Sequence, residues 1–174
     1  MRLDDDDFTL FGLPARQRVE RAELDARWRQ LQAAAHPDRV AAEGAAAQRV
    51  AMQWAVRINE AYQRLKDPLH RAAYLCELRG APVDAERNTA MPPAFLAQQM
   101  SWREALDEAA TAADVERLAG EVGAAELALV AEIEACLDDR DDAPGAAQRV
   151  RALMFVTRFR DVVDDRLDAL AERS

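Results

Sequence analysis

Apolar side chains recur along most of this chain every three or four residues, which is the spacing of an amphipathic helix. The first stripe predicts a helix over residues 20–35. It ends there because His36 precedes Pro37, and a residue before proline avoids the helical conformation. A loop with Gly44 leads to a second helix, over residues 45–66. The two stripes predict an antiparallel hairpin of helices of similar length, and they are formed by Leu24, Trp28, Leu31 and Ala35, and by Val50, Trp54, Ile58, Ala61 and Leu65.

Shorter helices flank this hairpin. Residues 8–14 (Phe-Thr-Leu-Phe-Gly-Leu-Pro) predict a single helical turn that glycine and proline stop, and residues 69–79 predict a helix that ends at Gly80. Residues 80–92 are the predicted linker. Beyond the linker, three long helical patterns predict a three-helix bundle, over residues 93–110, 113–138 and 146–172. The predicted fold class is all-α.

Composition and charge narrow the possible partners. The chain has 174 residues, with 23 basic and 32 acidic side chains, so its net charge is −9. Residues 1–79 carry 13 basic and 12 acidic groups (net +1), whereas residues 80–174 carry 10 and 20 (net −10). Such acidity disfavours nucleic acid as a partner. No apolar run reaches the roughly 20 residues that span a bilayer, so no membrane partner is expected.

The N-terminus and the cysteines indicate the compartment. The start of the chain resembles neither a secretory signal nor a transit peptide, and residues 1–6 are predicted as an acidic tail. We expect the run Asp4–Asp7 to be disordered and solvated. Cys76 and Cys136 lie inside apolar helical patterns, which predicts buried free thiols in a reducing compartment. These features predict a cytoplasmic protein, and the bias of the composition toward arginine over lysine and toward alanine predicts a bacterial source.

The residue inventory argues against catalysis. Two histidines and two cysteines without close spacing do not make a standard zinc site. The chain has no glycine-rich phosphate loop, and neither histidine lies near a nucleophile in a recognisable motif. We therefore expect no enzymatic activity, no metal and no cofactor.

His36-Pro37-Asp38 is the sharpest local motif. By itself it is compatible with a helix stop, a capping aspartate and a solvated histidine. Its position between two antiparallel amphipathic helices, however, resembles a J-domain, the module with which co-chaperones stimulate ATP hydrolysis by DnaK-class chaperones. Further stretches resemble the HscB family in particular, and the similarity covers about residues 7–172. These stretches are residues 8–14, 58–68, 71–75, 95–96 and 103–108.

The resemblance implies a separate function for each of the two domains. HscB-like proteins carry an iron–sulfur scaffold of the IscU type to a dedicated chaperone, HscA, whose ATPase the J-domain triggers to promote cluster transfer. It implies a J-domain over residues 7–79 and a scaffold-binding bundle over residues 93–174. The implied chaperone-binding residues are His36, Pro37, Asp38, Arg18, Arg29 and Arg39. The chain departs from the J-domain pattern at Ala33–Ala35, where basic or aromatic residues are frequent, and at Arg39, where lysine is frequent.

The scaffold-binding face follows in part from helix geometry. On a helix that begins near Phe95, the core positions fall within about 40° of that residue, whereas Leu96 and Met100 turn away by about 100° and 140°. An exposed apolar strip beside Glu104 and Glu108 suits a partner interface. The alternative is that both apolar residues pack within the protein. The resemblance implies the full scaffold-binding set, which is Leu96, Ala97, Met100, Ser101, Glu104, Glu108 and Phe155.

Two rival functions stay open. A J-domain whose bundle binds a different client would be a general co-chaperone of protein folding. The chain has neither the Gly/Phe-rich segment nor the cysteine-rich repeat expected of one. A structural adaptor, in which His36-Pro37-Asp38 is merely a helix stop, is the second rival, and substitution of His36 would leave its activity unchanged.

Overall fold

The computed structural model of the chain describes residues 2–36, 38–39, 42, 44–84 and 91–172. All regular elements within these residues are helical, which confirms the all-α prediction. In order along the chain they are α1 (Asp7–Phe11), α2 (Arg21–Ala34), α3 (Ala45–Lys66), α4 (Pro68–Leu78), α5 (Pro93–Glu108), α6 (Ala112–Glu134), a π-helical turn (Ala135–Asp139) and α7 (Ala143–Ala171).

The chain divides into two compact units between Leu75 and Cys76, inside α4. The first unit contains α1, α2, α3 and most of α4. The second contains the last turn of α4 and everything after it. This division falls within the region predicted as one domain, residues 7–79, and the predicted domain bounds stay a prediction. Residues 85–90 of the predicted linker lie outside the described residues.

The α2–α3 hairpin shares the core of the first unit with α1 and α4. Leu24 of α2 and Ile58 and Leu65 of α3 are fully buried, as the apolar stripes predict. The prediction was wrong at Val50, which is half exposed. Val50 is exposed because the two helices differ in length: α3 has 22 residues and α2 has 14. The first turns of α3 therefore extend beyond the end of α2. α2 begins without a side-chain cap.

The acidic N-terminus is more ordered than the sequence predicted. Asp6 caps α1, since its carboxylate accepts a hydrogen bond from the backbone N–H of Thr9 at 3.0 Å. Asp7 is completely buried, and its carboxylate oxygens lie 2.7 Å from Arg57 and 2.9 Å from Arg64. The expectation of a solvated, disordered Asp4–Asp7 segment was therefore wrong for the last two aspartates, because α3 supplies two arginines on the face that α1 covers.

The three long helices of the second unit pack around one apolar cluster. Trp102 of α5 stacks on Phe159 of α7, with ring centroids 5.9 Å apart. The buried members of the cluster are Trp102, Ala109, Val115, Leu118, Val122, Val156, Phe159 and Val163. A capping box between Thr111 and Asp114 fixes the start of α6. The predicted bundle helices are thus confirmed, with shifted ends.

The start of α7 shows why one boundary moved. The sequence predicted a turn up to Gly145, but α7 begins at Ala143, because Pro144 occupies the first turn, where its missing N–H costs nothing. Asp142 caps this turn by accepting a hydrogen bond from the N–H of Gly145 at 2.9 Å. At the other boundary, α6 ends at Glu134 and continues as the π-helical turn.

Both cysteines are buried and free, as predicted. Cys76, at the end of α4, lies with its sulfur 3.8 Å from the carbonyl oxygen of Ala143. Burial raises the pKa of the Cys76 thiol to about 11. This thiol is therefore protonated and unreactive at neutral pH.

Candidate functional site

Two residues of the His-Pro-Asp motif, His36 and Asp38, are exposed to solvent just after α2. The side chain of Asp38 retains 90% of its accessible surface. The backbone N–H of Asp38 donates to Nδ1 of His36 at 3.3 Å, and the Asp38 carboxylate lies 3.5 Å from the same nitrogen. Pro37 lies outside the described residues. The structure therefore leaves one carboxylate and one imidazole accessible to a partner.

Polar contacts hold the last turns of α2 against α3. Trp28 donates a hydrogen bond from its indole N–H to the side-chain oxygen of Asn59 at 3.0 Å, and Gln32 donates to the same oxygen at 2.6 Å. The Trp28 ring also stacks on Tyr62, with centroids 4.9 Å apart. These contacts hold the end of α2, just before His36, against α3.

The predicted basic residues do not form one patch on α2. Arg29 is exposed on the side of α2 opposite the buried Leu24, as predicted. Arg18 is also exposed but precedes α2, which begins at Arg21. Arg39 is exposed, and its guanidinium donates to the carbonyl oxygen of Ala33 at 3.3 Å, so it caps the C-terminal end of α2.

Sequence reasoning missed two exposed arginines of α2, Arg21 and Arg27. Arg27 lies two residues before Arg29 on a different face of the helix and contacts Glu23 loosely, at 3.7 Å. Its position, about 60° around the helix from Leu24, places it beside the apolar stripe, so the helical angle alone does not indicate its exposure.

In the second unit, the structure brings the predicted apolar residues together. Leu96 is 49% exposed, Met100 63% and Phe155 39%. All three line one cleft of about 330 Å³ between α5 and α7. Phe155 is held by edge-to-face packing on Phe95, with centroids 6.5 Å apart. We call Leu96, Met100 and Phe155 the apolar strip.

The other predicted residues of this surface lie beside the cleft. Ala97, Ser101, Glu104 and Glu108 are all exposed on the outer side of α5, and none of them lines the cleft. Trp102 is 97% buried on the opposite side of the same helix, which confirms the orientation predicted for α5. The surface thus combines an apolar strip with a neighbouring row of two small residues and two carboxylates.

Two features are absent from the described residues. None of the helices in the described part of the chain is long and apolar enough to cross a bilayer. Among the same described residues, no three side chains of histidine, cysteine, aspartate or glutamate are grouped so that they would hold a metal ion.

A helical hairpin followed by exposed His36 and Asp38, together with a helical bundle that carries an apolar strip, is typical of the class of J-domain co-chaperones. Residues 91–164 match the family model described as the HSCB C-terminal oligomerisation domain. A co-chaperone protein HscB homolog of Burkholderia mallei (strain SAVP1) is 50% identical over 171 residues, which cover 97% of each chain. The chain therefore belongs to the HscB family of co-chaperones.

Solved structures agree with this assignment. Chaperone HscB from Vibrio cholerae superposes with a TM-score of 0.81 at 32% identity, and the match covers 95% of this chain and 99% of that one. The human co-chaperone protein HscB superposes with a TM-score of 0.87 at 23% identity, covering 95% and 84%, and shows the same fold.

Proposed function

We propose that this chain is an adaptor between two proteins of iron–sulfur cluster assembly. It binds an IscU-type scaffold through α5 and α7, delivers it to an HscA-like chaperone of the DnaK class and stimulates the ATPase of that chaperone. The cluster is cargo of the scaffold, and its transfer matures iron–sulfur proteins. The observation that carries this proposal is the exposed apolar strip of Leu96, Met100 and Phe155 in a chain of the HscB family.

The proposed chaperone contact is the end of α2. The Asp38 carboxylate is accessible and can receive a guanidinium of the chaperone, which would form a charge-assisted hydrogen bond. Arg39 adds positive charge beside the motif, and Arg29 on α2 and Arg18 before it extend that charge along the J-domain, which favours an acidic surface on the chaperone. His36 and Pro37 join this set through the resemblance to J-domains.

The proposed scaffold contact is the apolar strip with its acidic neighbours. Burying the remaining exposed surface of Leu96 and Met100 supplies affinity, since a fully buried aliphatic side chain gains about 1.5–3 kcal/mol. Glu104 and Glu108 favour basic residues on the scaffold and orient the encounter. Ala97 and Ser101 offer little contact area, so we expect the apolar strip to supply most of the affinity.

The proposed compartment is the bacterial cytoplasm. Its reducing environment is compatible with the free thiols of Cys76 and Cys136. In this scheme the chain forms no covalent intermediate, and ATP hydrolysis takes place on the chaperone.

Single-turnover ATP hydrolysis by an HscA-like chaperone tests the proposal. We expect wild-type protein to accelerate hydrolysis, and further when scaffold is present. Asp38→Asn should abolish the acceleration while its affinity for the scaffold stays within about twofold of wild type, because the two sites lie in separate units. Asp161→Asn makes the same chemical change at another exposed helical position and serves as the control.

Two outcomes would contradict the proposal. Undiminished acceleration by Asp38→Asn would remove the J-domain function. If wild-type protein accelerates hydrolysis but does not bind the scaffold, the scaffold is not its client. That result would favour a general co-chaperone of protein folding.

A further inference from the structure

The groove between α5 and α7 does not end at the apolar strip. A second cleft of about 430 Å³ shares Arg103 and Phe155 with the first and extends along α7 to Val162. A third, of about 440 Å³, shares Val162 with the second and extends to Arg166. The three clefts therefore form one continuous groove, which we call the α5–α7 groove.

The arginines of the second unit divide into two groups. Its described residues, 76–84 and 91–172, contain nine arginines and no lysine. Six of them bond to a carboxylate or a backbone carbonyl: Arg79, Arg117, Arg140, Arg149, Arg151 and Arg160. The other three, Arg103, Arg158 and Arg166, form no hydrogen bond or ion pair with any described residue. All three line the α5–α7 groove.

This distribution is unexpected for so acidic a region. Residues 80–174 contain twice as many acidic as basic side chains, so a carboxylate partner is readily available to most arginines. An unpaired guanidinium keeps five N–H donors that suit a planar carboxylate. Two carboxylates, Asp107 and Asp165, also line the groove, so its net charge is about +1 in a region of −10.

The α7 wall of the groove has a regular pattern. Arg158, Val162 and Arg166 are spaced by four residues, so they follow one another along a single face of the helix. Val162 is 51% exposed between the two arginines. This face of α7 offers one apolar side chain with one cation on each side of it. It therefore fits a segment in which an apolar side chain has one carboxylate on each side.

We infer that the α5–α7 groove binds an acidic amphipathic segment of the scaffold protein, adjacent to the part that covers the apolar strip. This inference rests on the proposed function, which makes the scaffold the occupant. Arg103 and Arg158 bind one carboxylate near Phe155, and Arg166 binds a second farther along α7. Because Glu104 and Glu108 lie on the outer side of α5, the scaffold meets opposite charges on the two sides of α5, which fixes its orientation.

Calorimetric titration of the full chain with an IscU-type scaffold tests this inference. We expect Arg158→Gln/Arg166→Gln to weaken binding by about tenfold at low ionic strength, because buried arginine–carboxylate contacts are frequent hot spots. The loss should shrink as salt is added. The control is Arg117→Gln/Arg140→Gln, which removes the same charge from two arginines outside the groove and should bind like wild type.

The possible results separate the two claims. Equal affinities of the groove variant and its control, with a wild type that binds, would overturn the groove inference and leave the proposed function intact. A wild type that does not bind the scaffold would overturn both. If sedimentation shows that the chain self-associates through the groove arginines, and scaffold affinity matches the control, the occupant is a second copy and the inference is wrong.

Discussion

Replacing Leu96 and Met100 by alanine perturbs the proposed scaffold surface with little effect on the core. The two side chains are 49% and 63% exposed, so roughly half of the transfer free energy of each is still available to a partner. With about 1.5–3 kcal/mol for complete burial, each contributes about 1 kcal/mol on binding. The double substitution should therefore cost about 2 kcal/mol, a roughly 30-fold loss of affinity.

Calorimetric titration with an IscU-type scaffold measures this loss, and circular dichroism confirms that helicity is retained, since alanine is the better helix former. Leu127→Ala is the matched control, because Leu127 is 72% exposed on α6 and lines none of the three clefts of the groove. We expect the control to bind like wild type. Equal affinities of the double variant and the control would refute the assignment of the apolar strip to the scaffold.

Three further predictions concern the framework that holds the two surfaces. Asp7→Asn should lower the unfolding free energy measured with urea by about 1–3 kcal/mol, because it leaves two arginines of α3 without their carboxylate, whereas Asp4→Asn should have no effect. At pH 8, Cys76 and Cys136 should react with a thiol reagent only after unfolding, since both are buried and burial raises the pKa of Cys76 to about 11; fast reaction of the native protein would contradict this. Hydrogen bonds from the Thr111 hydroxyl and backbone N–H lower the pKa of Asp114, so its contribution to stability is present at neutral pH and is lost as the pH falls through the lowered value. Asp114→Asn should remove that part of the pH dependence in thermal melts.

Helical periodicity predicted the positions of the long helices well. The bounds of α3 agree with the prediction, and the stripe of α7 is buried from Leu153 to Val163. The prediction that Val50 is buried was wrong because burial also depends on the length of the neighbouring helix. The apolar pattern of α3 carries no information about that length. Pro144 moved the start of α7 because proline and glycine signal both turns and first helical turns.

For the candidate binding surfaces too, the sequence pattern predicted which way single residues face but not which residues meet in three dimensions. The helical angle alone indicated that Leu96 and Met100 face away from the core, whereas the place of Phe155 beside them depends on how α5 and α7 pack. The burial of Asp7 and the unpaired state of Arg158 depend on which charged side chains lie opposite them in three dimensions. Charge patterns along the sequence do not contain this information.

The central claim is that one molecule carries both surfaces, so that scaffold is delivered to the chaperone. It is tested most directly by mixing Asp38→Asn with Leu96→Ala/Met100→Ala in the single-turnover ATPase assay with scaffold present. Each variant retains one intact surface. We predict that the mixture lacks the scaffold-dependent part of the acceleration that wild type gives, because no molecule bridges the two partners. Full acceleration by the mixture would contradict the account, since the surfaces would then work independently.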